Sequence, residues 1–471
     1  TIWATSCVST AHARVMASLS FFFVAYVSTA HAAFVQRVPR RSVDVRRATA
    51  LSCVASEPSA LTAAAGYLND IPMGAPDAIL GIAANFRACT ADTKVNLAIG
   101  AYRDDGGSPF VLPSVRAAEA RLLERGEKKE YAPITGDPQY VSRALAFAYG
   151  EESEALSSGR IIGVQTLSGT GACRIAGEFF ARFLPKDTTI YVSDPTWGNH
   201  IPIMELSGLT VKRYRYLNRQ TNSLDLKGYL EDIEAAPAGS IFLLHACAHN
   251  PTGIDPSAAQ WATLAEVFAE RRLIAVFDSA YQGYASGDLD ADAAAVRTFE
   301  AAGVLPVVCQ SYAKSMGLYG ERIGAVNFAC ATAAEADAVL SQVKQRVVRP
   351  NYSSPPLHGA RLAATVLSDD ALFAQWRDEL RVMAGRVQRM RSMLADELRR
   401  VGAPSPDGGR WEHVTSQIGM FAFTGLSAEH VDALRAHHHI YLTRDGRMSM
   451  AAMKPGDVEY VARAMRDVLT A

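Results

Sequence analysis

The chain holds 471 residues, 49% of them hydrophobic and 20% charged, with a formal net charge of −1. This is the composition of an ordinary globular protein large enough for two domains, and its balanced charge argues against a surface built for nucleic acid or an anionic membrane. Seven scattered cysteines without a CxxC pair read as reduced thiols, with neither a disulfide framework nor a zinc site.

Residues 1–65 read as a cleavable leader. Met16 opens a stretch whose apolar part, Leu19 to Val27, is too short to span a bilayer, and Ala30-His31-Ala32 fits a small-x-small cleavage site. Phe34 to Ala55 is then rich in Arg, Ser, Val and Ala, the composition of a transit segment. The two-part leader resembles that of algae whose plastids lie inside extra membranes. It predicts an organellar protein, plastid first and mitochondrion as the alternative.

The rest of the chain alternates strand-like apolar runs with amphipathic helical stretches, which predicts an α/β protein with a mostly parallel sheet. Val164 to Ala172, with Ser168-Gly169-Thr170-Gly171, leads into an apolar-periodic helix reaching about Leu184. Glycines there let a backbone approach a phosphate, and a helix start offers free N–H groups. The spacing fits neither a dinucleotide fingerprint nor a P-loop.

Four further runs, Thr189 to Val192, Ile241 to Leu244, Leu273 to Phe277 and Val304 to Cys309, each end in a polar cluster. The clusters carry Asp194, Trp197 and His200; His245, His249 and Asn250; Asp278 and Tyr281; and Ser311, Lys314 and Arg322. Ligands bind beyond the carboxyl ends of strands in open α/β sheets, so the clusters are expected to face one crevice. A lysine at the end of a buried strand is partly desolvated, which lowers its pKa and makes the amine a nucleophile toward a carbonyl. Arg322 supplies a fixed charge for a phosphate. An aldehyde with a phosphate tail, pyridoxal phosphate, would satisfy both.

Downstream, Leu380, Met383, Val387, Met390, Leu394 and Leu398 recur at helical spacing within a helix expected over Trp376 to Gly402, with Gly402 as its cap. Short strands such as Ile418 to Phe423 follow, which suggests a smaller C-terminal domain. The divisions expected are 66–108 as an arm and part of the small domain, 109–380 as the large domain, and 381–471 as the small one. His437 to His439 cannot turn three adjacent side chains toward one metal, and they read as solvated.

From about Ile71 onward these clusters, with Val95 to Arg103, Ser353-Ser354-Pro355-Pro356 and Asp445 to Met450, resemble the class I, fold-type I aminotransferases that act on aspartate with pyridoxal phosphate. The resemblance implies a seven-stranded, mostly parallel sheet flanked by helices, plus a smaller α+β domain. It implies reversible amino transfer from L-aspartate to 2-oxoglutarate, by a ping-pong route through pyridoxamine phosphate. A broad-range or aromatic aminotransferase is the alternative on the same scaffold; a lyase using the same cofactor fits the paired arginines less well.

By the same resemblance, Lys314 would tether the cofactor and shuttle a proton between Cα and C4′. Asp278 would pair with the pyridine nitrogen, Tyr281 and Asn250 with the phenolic oxygen, and Trp197 would stack on the ring. His200 and His245 would lie behind Asp278. Ser168, Gly169, Thr170, Ser311, Arg322 and, from a second subunit, Tyr131 would hold the phosphate. Ala313 stands where many relatives carry serine, so a hydrogen bond worth about 1.5–3 kcal/mol is missing there. Arg447 would fork onto the α-carboxylate beside Gly100. Arg349, also crossing from the partner of a homodimer, would take the distal one. No metal is expected.

Overall fold

The computed structural model describes residues 68–74 and 80–471; the predicted leader lies outside the described residues. Residues 68–74 form a turn in which the Ile71 N–H donates to the Leu68 carbonyl at 3.3 Å. Ala75–Ala471 form a separate compact unit, to which everything below refers. Among the described residues no helix is long and apolar enough to cross a membrane.

Seven strands make the main sheet: β1 (Ile161–Leu167), β2 (Thr189–Asp194), β3 (Thr210–Arg215), β4 (Ile241–His245), β5 (Ile274–Ser279), β6 (Val307–Ser311) and β7 (Ile323–Ala329). Their spatial order is β1-β7-β6-β5-β4-β2-β3. Only β7 runs antiparallel to its neighbours; β6, β5, β4, β2 and β3 pair in parallel. The central strands read as unbroken apolar runs because both faces are covered. Phe242 and Leu244 of β4 point into one core with Trp261 and Phe268, while Ile241 and Leu243 point into another with Ile175 and Phe180.

Helix α1 (Ser168–Phe183) begins at the residue after β1 and packs on β6 and β7. The reversal is possible because Ser168 takes a left-handed φ of +62° and because Gly324 of β7 leaves room for it. A Cβ on Gly324 would come within 2.4 Å of the Gln310 carbonyl oxygen and 2.6 Å of the Ser168 carbonyl carbon.

Helix α2 (Asp370–Arg400) runs 31 residues without a break. It starts six residues earlier than the apolar pattern indicates because the Asp369 carboxylate caps it, accepting from the Leu372 N–H at 3.0 Å. Its end follows the glycine signal. Gly402 is left-handed, and the N–H groups of Gly402 and Ala403 return to the carbonyls of Arg399 and Leu398. The short strand expected from Ile418 is confined to β8 (Phe421–Phe423), which pairs antiparallel with β9 (Arg447–Ser449). Val95–Asn96 pair in parallel with Ile440–Tyr441, so the arm preceding the sheet joins the C-terminal residues.

Two glycine substitutions test this packing. Gly324→Ala is expected to destabilise by about 1–3 kcal/mol through overpacking against backbone. Gly385→Ala, where an added Cβ meets nothing within 4 Å inside α2, is expected to stabilise by about 0.5–1 kcal/mol. Urea unfolding of both variants measures the two signs.

Candidate active site

The carboxyl ends of β2, β4, β5 and β6 and the start of α1 surround a cavity of about 220 Å³. Of the residues singled out in the sequence, Gly100, Ser168, Gly169, Thr170, Trp197, Asn250, Asp278, Tyr281, Ser311, Lys314, Arg322 and Arg447 all line it. His200 and His245 stand behind Asp278, with their ring centroids 5.1 Å apart. Tyr131 and Arg349 are elsewhere. Tyr131 is 88% exposed, and the exposed Arg349 donates to the Ser353 hydroxyl at 2.6 Å.

Asp278 is the hub. It is the fifth residue of β5, paired in register with His245 on one side and Cys309 on the other. The residue is only 7% exposed. Its Oδ2 accepts from His200 Nε2 at 3.1 Å, and the Thr196 hydroxyl holds the opposite ring nitrogen at 2.8 Å. Its Oδ1 is buried without a partner. Burial opposes ionisation of both groups, yet their mutual hydrogen bond and charge outweigh it. The His200 pKa rises to about 9, and Asp278 is held below the ordinary carboxylate value. His245, buried and repelled by His200, is pushed down to about 3 and stays neutral.

Lys314, itself half-buried, sits on the otherwise buried turn after β6, its Nζ 5.3 Å from the centroid of the Tyr281 ring. Burial lowers the ammonium pKa and the Arg322 charge adds to this, while Asp278 opposes it. The amine is thereby brought closer to the free-base form in which it is a nucleophile. Burial also pushes the Tyr281 hydroxyl upward, so it is neutral and can donate.

One end of the cavity suits an anion. The Ser168 and Ser311 hydroxyls lie 3.0 Å apart, and no side chain caps the first turn of α1, leaving its N–H groups available. Gly169 keeps this end open, since a Cβ there would lie 3.1 Å from Ser311 Cβ. At the opposite end, Arg447 is buried, donating to Asn250 Oδ1 and the Ala98 carbonyl, each at 3.1 Å. Its Nε has no partner, and its guanidinium lies 4.0 Å from the Phe421 ring centroid.

Sequence reading missed several neighbours. Phe421 and Tyr319 also line the cavity, and the Tyr319 hydroxyl accepts from the Tyr102 N–H at 3.0 Å. Cys173 of α1 is buried, with its sulfur within 4.8 Å of ligand atoms of His200 and Asp278. It lies on the apolar stripe of a helix, where nothing in the sequence distinguishes it from a core residue.

Residues 92–465 match the family model described as aminotransferase class I and II. The chain is 48% identical over 399 residues to the mitochondrial aspartate aminotransferase of Dictyostelium discoideum, covering 85% of this chain and 92% of that one. Among solved structures it resembles the cytoplasmic aspartate aminotransferase of Saccharomyces cerevisiae, with 44% identity, a TM-score of 0.82, and coverage of 86% and 99%. It also resembles an aromatic-amino-acid aminotransferase from Burkholderia pseudomallei covalently bound to pyridoxal phosphate, at 38% identity, TM-score 0.82 and coverage of 86% and 99%.

The buried ion pair has a pH signature. His200 has a folded pKa near 9, above its unfolded value near 6.5. Its contribution is therefore complete below about pH 6.5 and is lost as pH rises through about 9. In cofactor-free protein, the unfolding free-energy gap between wild type and His200→Asn is expected to shrink between about pH 6 and about pH 9.5. Urea unfolding across that range measures it, and a constant or widening gap contradicts the protonated pair.

Proposed function

The chain belongs to the class I and II aminotransferases, and from that premise we propose how its residues move the amino group of L-aspartate to 2-oxoglutarate, giving oxaloacetate and L-glutamate. The observation that carries this reading is the partnerless Oδ1 of Asp278, a buried acceptor directed at a cavity that also holds a lysine amine. Pyridoxal phosphate fits these groups. Asp278 Oδ1 would take the pyridinium N–H, the Ser168, Thr170, Ser311 and Arg322 end would take the phosphate, and Lys314 would take the aldehyde. When bound, the cofactor supplies an electron sink for the pair released as the substrate Cα–H bond breaks.

The chain's own groups do the rest. The Lys314 amine, when free, would take the proton from the substrate Cα and deliver it to C4′ of the cofactor. Asp278 keeps its proton partner charged, and His200 prevents that carboxylate from being neutralised. Tyr281 donates from its hydroxyl. Asn250 gives Oδ1 to Arg447, which leaves its amide nitrogen for the cofactor side, so one side chain joins the two subsites. Arg447, with Nε free and Phe421 beneath it, forks onto the α-carboxylate. The two half-reactions use the same groups in opposite directions.

Selection for a dicarboxylate needs a second cation, and we assign it to Arg349 of a second copy, with Tyr131 of that copy at the phosphate. Both side chains are exposed on their own chain and outside its cavity, which supports a homodimer with shared sites. The domain division at 108/109 and 380/381 is likewise a proposal. It is supported by the pairing of Val95–Asn96 with Ile440–Tyr441, although the second boundary falls within continuous α2. An organellar address fits the mitochondrial relative in Dictyostelium; plastid delivery rests on the leader composition alone. Imaging residues 1–65 fused to a fluorescent protein distinguishes the two organelles, plastid fluorescence being expected.

Arg349→Ala tests specificity and sharing together. It is expected to cost about 3–5 kcal/mol in kcat/KM for aspartate, the penalty for an unpaired buried charge, and much less for phenylalanine. Mixed with Lys314→Ala protein under conditions of subunit exchange, it is expected to regain activity in hybrids that hold one intact site. Equal losses on both substrates, or inactive hybrids despite exchange, remove Arg349 from this role.

A further inference from the structure

Arg391 of α2 is fully buried, and among the described residues no carboxylate pairs with it; the Tyr284 hydroxyl is the group whose charge bears on it. Burial lowers its pKa. Arg386, five residues earlier on α2, is different: it meets the Asp105 carboxylate at 2.7 Å. The partners of Arg391 are all backbone carbonyls. Nη1 donates to Val414 at 3.0 Å, while Nη2 donates to Gly419 at 2.8 Å and to Phe421. Its Nε is buried with no partner among the described residues, and burying a cation without a counter-charge is unfavourable, so a core holding only apolar side chains here would be simpler.

The gripped segment touches Arg447 from two directions. The Phe421 ring lies 4.0 Å from the Arg447 guanidinium. Gly419, left-handed at φ +81°, presses on Ala248, since a Cβ on Gly419 would meet Ala248 Cβ at 2.3 Å. The Ile418 N–H donates to the Gly253 carbonyl at 2.7 Å. Ala248 and Gly253 bracket Asn250, whose Oδ1 accepts from Arg447.

We infer that Arg391 is a positioning residue for the α-carboxylate subsite. By fixing the carbonyls of Gly419 and Phe421, it sets the Phe421 ring and the Asn250 loop against Arg447 before substrate arrives. A planar guanidinium reaches three carbonyls at once, which a lysine ammonium on a single flexible stem does not reproduce. Preorganising the fork strengthens carboxylate binding without taking part in proton transfer. The inference rests on the assignment of Arg447 to the α-carboxylate.

The experiment compares wild-type holoenzyme with Arg391→Lys, Arg391→Met, Phe421→Leu and the Arg391→Lys/Phe421→Leu double variant. It reads KM and kcat for aspartate and 2-oxoglutarate, the inhibition constant of propionate, and the cofactor absorbance. Arg391→Lys is expected to raise both KM values and the propionate constant about tenfold, with kcat within about threefold and the absorbance unchanged. Phe421→Leu is expected to behave alike, and the double variant to lie within about twofold of the stronger single one. A merely structural residue would lower stability and leave these constants in place.

Folded Arg391→Lys protein with unchanged KM and propionate binding overturns the inference, as do losses that multiply in the double variant. If neither Arg391 variant folds, unchanged constants in Phe421→Leu overturn it, and raised ones support it. Wild-type protein that transfers no amino group would instead sink the functional reading; propionate binding would still report on the subsite.

Discussion

The site depends on one hydrogen bond, from His200 Nε2 to Asp278 Oδ2 at 3.1 Å. A carboxylate this deeply buried is stable only beside a compensating charge, and His200, with its pKa raised to about 9, provides one. The pairing engages one oxygen and leaves the other, Oδ1, without a partner. That second oxygen is a free acceptor in the residue set that lines the cavity with Lys314, which is why the proposed ring N–H is assigned to it. Thr196 behind His200 fixes the imidazole orientation. The neutral His245 fills the space beside it without adding a second positive charge.

The sheet delivers these groups because parallel strands end on the same side. Asp278 and His245 come from neighbouring strands in direct register, so their relative position is fixed by backbone hydrogen bonds rather than by loop conformation. The antiparallel β7 adds the close approach at Gly324 that lets Ser168 turn into α1. The carboxylate end is organised differently. There Arg447 is aimed by Phe421, Asn250 and the Ala98 carbonyl, and that loop assembly is anchored from below by α2. The end proposed for the cofactor is thus built on strands, and the end proposed for the substrate carboxylate on stapled loops.

Much of this was legible in the sequence. Asp278, Lys314 and Asn250 stand out because each lies in a polar cluster at the end of an apolar run, Asp278 directly after Phe277 and the other two within six residues of Cys309 and Leu244. Arg391 does not stand out by residue type, since arginines crowd this stretch of α2 at 386, 389 and 391. Its spacing from Val387 and Leu394 nevertheless places it on the buried stripe, so the periodicity held the signal. Phe421 looked like an ordinary strand residue because its role comes from stacking under a group 26 positions later. The roles proposed for Tyr131 and Arg349 are ones a single chain does not display; only the resemblance assigned them to a second copy. The start of α2 was missed since Asp369 caps it ahead of the apolar repeat.

The most direct test of the central claim is the protonation state of the cofactor's ring nitrogen, followed by ¹⁵N NMR with pyridoxal phosphate labelled at that atom. Wild-type protein is expected to hold a protonated ring throughout about pH 5 to about pH 10, and Asp278→Ala to lose that proton. A wild-type ring that titrates within this range, or one indifferent to Asp278→Ala, would contradict it.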